Sequence, residues 1–221
     1  MLGNNPKRKP LFGSGDVLEI KNIFKTIQGE GPYAGNPAVF IRLGGCNLAC
    51  TFCDTNFESY NSMQLGEIIE QVTYFTKDTM IKLIVITGGE PFRQPIKALC
   101  QKLIDNGYKV QIETNGTLYR EIPEEVKIIC SPKCNSKGYI SVRRDLLARA
   151  SAIKFLVSTK TKYHNKIVEM GQSEFNVPVF VQPMDEGNAQ VNRKNTELAI
   201  QIAFEMGARL SLQLHKILEI E

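Results

Sequence analysis

The stretch GNPAVFIRLGGCNLACTFCDT (residues 35–55) holds a short apolar strand candidate, AVFIRL (38–43), then two glycines, then cysteines at 46, 50 and 53. The C-x3-C-x2-C spacing puts three thiols on one loop directly after a strand, close enough to wrap one soft metal centre. A closed structural zinc site takes four ligands, and a fully thiolate-ligated [4Fe–4S] cluster also takes four. Three ligands leave one iron open for a small molecule that must accept an electron. The competing reading is a zinc knuckle completed by Cys130 or Cys134, which are themselves spaced C-x3-C. Cys100 falls on the apolar side of a helix candidate and reads as core. Cys130 ends an apolar run and also suits a core, whereas Cys134 has no assignment. Neither histidine has a partner at metal-ligand spacing, and His164, in a polar Lys-rich stretch read as helix, suits a surface.

Further along, short apolar runs alternate with amphipathic ones. After AVFIRL come LIVIT (83–87), KVQIET (109–114), VKIIC (126–130), AIKFLV (152–157), VPVFVQ (177–182) and RLSLQL (209–214). Most are β-branched and nearly continuous in apolarity, which predicts strands buried on both faces of a parallel sheet. VLEIKNIFKT (17–26) reads as a partly exposed strand or hairpin. Helical spacing predicts helices over 65–77, 94–106 and 192–206, the second stopped by Asn106-Gly107 and the third by Gly207. Repeated strand–helix units with right-handed crossovers predict an incomplete, open parallel β/α barrel. Active sites of such folds lie in the loops after the strands. Those loops hold the unusual residues: GGCNLACTFCDT, GGEP (88–91), ETNG (113–116), SPK (131–133), QPMD (182–185) and HK (215–216).

The chain has 221 residues, is 43% hydrophobic and 23% charged, and carries a formal charge of +4. That composition suits one core domain, placed at 16–221, and argues against wholesale disorder. Residues 1–15, MLGNNPKRKPLFGSG, lack an apolar signal core and read as a flexible basic extension. No apolar run approaches the roughly 20 residues of a membrane span, and the charge is too small to argue direct nucleic-acid binding. Six cysteines in a chain this long fit a reducing compartment with a metal site better than a secreted scaffold, so a cytoplasmic location is expected.

The three-cysteine loop followed by GGEP resembles the radical S-adenosylmethionine enzymes. In them, three cysteines hold a [4Fe–4S] cluster and the methionine part of the cofactor takes the fourth iron. IFKTIQGEG (23–31), the cysteine loop ending in CDT, VITGGEP (85–91), QIETNGT (111–117), CSPK (130–133), QPMD and LQLHKILEI (212–220) are together similar to the 7-carboxy-7-deazaguanine synthase family. The resemblance runs from about residue 20 to the C-terminus. It implies radical ring contraction of 6-carboxy-5,6,7,8-tetrahydropterin with loss of ammonia, a step toward queuosine and related 7-deazapurines. It also implies a homodimer served by a reducing, flavodoxin-like electron donor.

Individual residues then take implied roles beside their plain readings. Thr55 has a hydroxyl able to ligate a hard cation, and the resemblance implies Mg2+ there; alone it reads as a turn residue. Ile27, Gln28, Gly29 and Glu30 form a glycine-flanked loop whose amide and carboxylate suit the edge of a pterin. The bland alternative is a solvated turn. Arg42, near the end of an apolar strand, needs an anionic partner, either a structural carboxylate or the substrate's. Thr87 is implied to face substrate, and Gly89 and Glu90 the cofactor's amino group. Phe52, Cys53 and Asp54, then Ser131, Pro132 and Lys133, and later Gln182, are implied cofactor contacts. Glu113, Thr114 and Asn115 put polar groups at the end of a strand. His215 reads equally as a substrate contact and as a satisfied structural histidine.

Two other classes fit parts of this pattern. A radical activase acting on a protein would have no use for QGEG or the closing LHK. A zinc-bound interaction module would leave the other loops unexplained.

Overall fold

The computed structural model describes residue 3 and residues 5–220. The chain divides into two compact units. The first runs to Gln28 and takes in Asn36–Thr114 and Leu118–Ile128; the second comprises Gly29–Gly35, Asn115–Thr117 and the chain from Ile129 onward. Residues 16–221, expected as one core domain, are thus shared between both.

In the first unit the strands are β1 (Val17–Ile27), β2 (Pro37–Leu43), β3 (Asn61–Gln64), β4 (Leu83–Gly88) and β5 (Lys109–Thr114). They are ordered β3-β1-β2-β4-β5. β2, β4 and β5 pair in parallel, with Arg42 opposite Thr87 and Ile86 opposite Ile112. β1 runs antiparallel to β2, Phe24 opposite Phe40, with an irregularity between Ile20 and Asn22. Val39, Ile41, Ile84, Val85, Ile86 and Ile112 are fully buried, as continuous apolarity requires. Helix α1 (Leu65–Thr76) starts where the Gln64 N–H donates to the Glu67 carboxylate at 2.8 Å.

Helix α2 (Lys97–Asp105) begins three residues later than the predicted 94. Pro91–Arg93 form a 3-10 turn, and Gln94, extended before Pro95, is fully buried. The Gln94 side chain acts as a strand neighbour: Oε1 accepts from Glu19 N at 2.8 Å and Nε2 donates to Glu19 O at 2.9 Å.

The leading segment differs from the loose extension expected. Arg8 N donates to Cys46 O at 2.7 Å and Leu11 N to Arg93 O at 2.7 Å. Arg93, 2% exposed, pairs with Glu19 and donates to Lys9 O at 3.1 Å. The physical reason is backbone pairing, which charge and composition do not reveal.

β6 (Lys127–Cys130) begins in the first unit and ends in the second. A small hairpin follows, β7 (Cys134–Asn135) with β8 (Gly138–Tyr139), then a short helix α3 (Arg144–Leu147). β9 (Ala150–Val157), β10 (Val179–Pro183) and β11 (Arg209–Leu210) are ordered β6-β9-β10-β11, with β9, β10 and β11 paired in parallel. Helix α4 (Ala189–Met206) packs Ala199 and Ile202 on Val157 and Val181. Asn188 caps its start, its side-chain oxygen accepting from Gln190 N and Val191 N, and Gly207 at φ 63° ends it.

Two expectations need correction here. RLSLQL is a strand only over Arg209–Leu210 and turns into helix α5 (Leu214–Ile217). Ser211 N still donates to Val181 O at 2.8 Å; beyond it Gln213 leaves extended backbone (φ −96°, ψ 80°) and Leu214 N turns to Gly29 O, which ends the pairing with β10. His164 lies in a non-helical turn region and is 7% exposed, its Nδ1 2.9 Å from Thr161 Oγ1, so it is not surface.

Candidate active site

The residues singled out from the sequence fall into two groups, one in each unit.

In the first unit, β2 delivers the cysteine loop. Gly44 N donates to Glu19 O at 2.9 Å and Gly45 N to Phe57 O at 3.3 Å, which fixes the loop's start. Cys46 is buried, Cys50 and Cys53 half-buried, and no cysteine is in a disulfide. Cys46 Sγ accepts from Leu48 N at 3.4 Å, and Cys53 N donates to Cys50 O at 3.2 Å. Burial pushes the Cys46 thiol up to about 12; the Leu48 N–H opposes this, and Glu90, Cys50 and Cys53 reinforce it. Among the described residues no three His, Cys, Asp or Glu side chains converge in metal-holding geometry. The donor set itself, three thiols on one loop with amide N–H groups directed at sulfur, fits an iron–sulfur cluster with one open iron. Cys130 and Cys134 are both buried in other surroundings: the Cys134 thiol donates to Tyr163 O at 3.5 Å, and Cys130 packs against Gly116.

The end of β4 lies directly against this loop. Gly89 N donates to Leu43 O at 3.0 Å and Glu90 N to Gly45 O at 3.1 Å. Gly88 sits at φ +113°, and a Cβ at Gly89 would collide with Gly45 O. The two glycines are what let GGEP reach the cysteine loop. Glu90 is fully buried, its Oε1 accepting from Thr114 Oγ1 at 2.7 Å and Phe92 N at 3.0 Å.

Near the same strand ends, the half-buried Arg42 stacks its guanidinium over Phe24 at 4.9 Å. Thr55 Oγ1 donates to Asp54 Oδ1 at 3.2 Å; Thr55 and Phe52 are half-buried and Asp54 exposed. Gln28, 2% exposed, follows Ile27 and donates from Nε2 to Glu113 Oε1 at 2.8 Å. Gln111 Nε2 donates to the same oxygen at 3.0 Å, so Glu113 is a fixed acceptor at the strand end.

The second unit gathers Gly29, Glu30, Gln182, Ser211 and His215. Gly31 N donates to Ser211 Oγ at 2.9 Å, and Ser211 Oγ donates to Gln182 Oε1 at 2.9 Å. Leu214 N donates to Gly29 O at 3.1 Å, and a Cβ at Gly29 would strike the His215 ring. Glu30 pairs with Lys154 and accepts from Gln213 Nε2 at 2.9 Å. Burial alone would raise this carboxyl, but Lys154, Gln213 and His215 outweigh it and hold it at about 2. Lys133 Nζ donates to Ser131 Oγ at 2.9 Å beside the buried Pro132.

Sequence reasoning missed Lys154, Asn5 and Arg93. Lys154 carried the signal that singled out Arg42, a charge inside an apolar strand. Asn5 and Arg93 had none, because their partners are distant in sequence.

Residues 40–135 match the Radical SAM superfamily. A 7-carboxy-7-deazaguanine synthase of Rickettsia prowazekii (strain Madrid E) is 54% identical over 225 residues, spanning all of this chain and 96% of its own length. One from Rhodospirillum rubrum is 37% identical over 240 residues, spanning both chains in full. The chain belongs to the 7-carboxy-7-deazaguanine synthase family. The crystal structure of QueE from Escherichia coli covers 89% of this chain and 94% of its own with a TM-score of 0.71 at 26% identity. The fold is therefore that of the radical S-adenosylmethionine enzymes, the incomplete parallel β/α barrel expected from the alternating elements. Membership of this family implies a [4Fe–4S] cluster and S-adenosylmethionine, which the cysteine loop is suited to hold.

Proposed function

We propose that this chain is a 7-carboxy-7-deazaguanine synthase, converting 6-carboxy-5,6,7,8-tetrahydropterin to 7-carboxy-7-deazaguanine with release of ammonia, within queuosine biosynthesis. The observation that carries this reading is the three-thiol loop abutting GGEP, in a chain whose similarity to relatives of that name runs its full length.

When bound, the cluster and S-adenosylmethionine supply one-electron reduction and a carbon radical able to abstract a substrate hydrogen. The protein's share is holding and orienting. Cys46, Cys50 and Cys53 would hold the cluster through three thiolates. Phe52, Cys53, Asp54, Gly89, Glu90, Ser131, Pro132, Lys133 and Gln182 are the residues that would bind S-adenosylmethionine, Gly89 and Glu90 serving its amino group. Thr55 would offer its hydroxyl to Mg2+, and Arg42 would pair with the substrate carboxylate. Ile27, Gln28, Gly29, Glu30, Thr87 and His215 would bind the pterin, with Gln28 oriented by Glu113. Holding the carboxylate in this way would restrict which rearrangement is open to the substrate. Residues 16–221 act as one catalytic core, in a cytoplasmic homodimer supplied by a flavodoxin-like reductant. No helix among the described residues is long and apolar enough to cross a membrane.

The test is anaerobic reconstitution with iron and sulfide, then turnover of the carboxypterin with S-adenosylmethionine, dithionite and Mg2+. A brown protein that bleaches on reduction and forms the deazaguanine product supports the reading. A colourless protein retaining zinc overturns it.

A further inference from the structure

The leading segment reaches the proposed cluster site itself. Lys7 bridges to Cys46 as a strand residue would, and Arg8 N donates to Cys46 O at 2.7 Å. The Arg8 guanidinium pairs with Glu58 at 2.6 Å, just past the third cysteine in sequence. Gly3, at φ +81°, lies so close to Thr51 O that a side chain there would collide with it. Asn5 lies between these anchors. It is 8% exposed, and its Nδ2 donates to Thr55 O at 2.9 Å while lying 3.8 Å from Cys53 Sγ. Thr55 O also accepts from Cys53 Sγ at 3.4 Å, so amide, sulfur and carbonyl form one small polar triangle.

The amide is chemically suited to this place. Asparagine carries two N–H bonds on one nitrogen, enough to serve a carbonyl and a sulfur together. An N–H directed at a ligating thiolate withdraws charge from the sulfur and favours the reduced, more negative cluster. An aspartate of the same shape would put an anion beside the thiolate instead. Burying an amide is unfavourable unless it is hydrogen-bonded, and at Asn5 the partners are a cluster-loop carbonyl and a cluster-loop sulfur.

We propose that Asn5 is a positioning residue for Cys53, its amide holding the third thiolate and setting the reduction potential of the cluster. The leading segment is then a working part of the metal site. The inference rests on the assignment of Cys46, Cys50 and Cys53 as cluster ligands.

The full chain and its Asn5→Ala and Asn5→Asp variants would be reconstituted anaerobically with iron and sulfide. Cluster potential would be read by spectroelectrochemical titration, alongside iron content and the thermal unfolding midpoint. The expected result is a potential more negative in Asn5→Ala and more negative still in Asn5→Asp, with iron content and midpoint as in the parent. Potentials that superimpose on the parent's overturn the inference, as does loss of iron together with a lowered midpoint and no shift in the remaining cluster. A parent chain that takes up no cluster overturns the ligand assignment, and this inference with it.

Discussion

Gly29 and His215 occupy adjoining space: any Cβ on residue 29 would run into the imidazole, and the Gly29 carbonyl accepts from Leu214 N at 3.1 Å. The glycine of QGEG and the histidine of LHK are thus two halves of one contact. Gly29→Ala is expected to displace the ring and lower kcat/KM for the carboxypterin on the order of 100-fold, the scale of a misplacement near 1 Å. It should also lower the unfolding midpoint. Adding His215→Ala should restore the midpoint without restoring turnover, and a double-mutant cycle reads that coupling.

The Glu30–Lys154 pair predicts how stability depends on pH. Folded, the carboxyl is held at about 2, below its ordinary 4.5. Its contribution is complete above the ordinary value and is lost as pH falls toward 2. Lys154→Met leaves a buried carboxylate without its cation, costing about 3–5 kcal/mol at neutral pH. Burial then governs and raises the carboxyl above 4.5, so acidification from pH 7 toward 4.5 should stabilise this variant while the pair's contribution to the parent stays constant and falls only below 4.5. Urea denaturation between pH 7 and pH 3 checks the two windows.

Gly89→Ala tests the meeting of the two motifs. The added methyl would push against Gly45 O and Cys46 N. Displacing the cysteine loop should abolish most iron uptake while leaving the far-ultraviolet circular dichroism unchanged. Iron analysis after reconstitution settles it, and full iron content in the variant would sink the proposal.

Thr55→Ala separates the cation from the cluster. The Thr55 hydroxyl touches Asp54, whereas the Thr55 carbonyl is what meets Cys53 and Asn5. Removing the hydroxyl should shift the Mg2+ concentration needed for half-maximal turnover about tenfold upward, an interaction worth about 1.4 kcal/mol. Iron content should hold. Equal loss of iron would mean that Thr55 is structural.

The parallel strands were legible because buried strands must be apolar on both faces, and LIVIT is. The cysteine loop was legible because few other uses require three thiols in eight residues. RLSLQL misled because its pattern suits a strand while Leu214 N is taken by Gly29 O, a residue remote in sequence. The start of α2 was misplaced because Gln94 serves as a surrogate strand neighbour, which helical periodicity cannot register. Asn5 and Arg93 act wholly through distant partners.

The span from Glu30 to Gln213 has a consequence for biosynthesis. The hydrogen bond between them closes across 183 residues. A chain leaving the ribosome exposes Glu30 long before it supplies Gln213. Until then the 29–35 segment lacks Ser211 and Leu214 as partners. Closing the second unit is therefore a step of high contact order, taken only after residues 211–214 have been made. A frameshift just upstream of Ser211 would remove partners that residues 29–35 need.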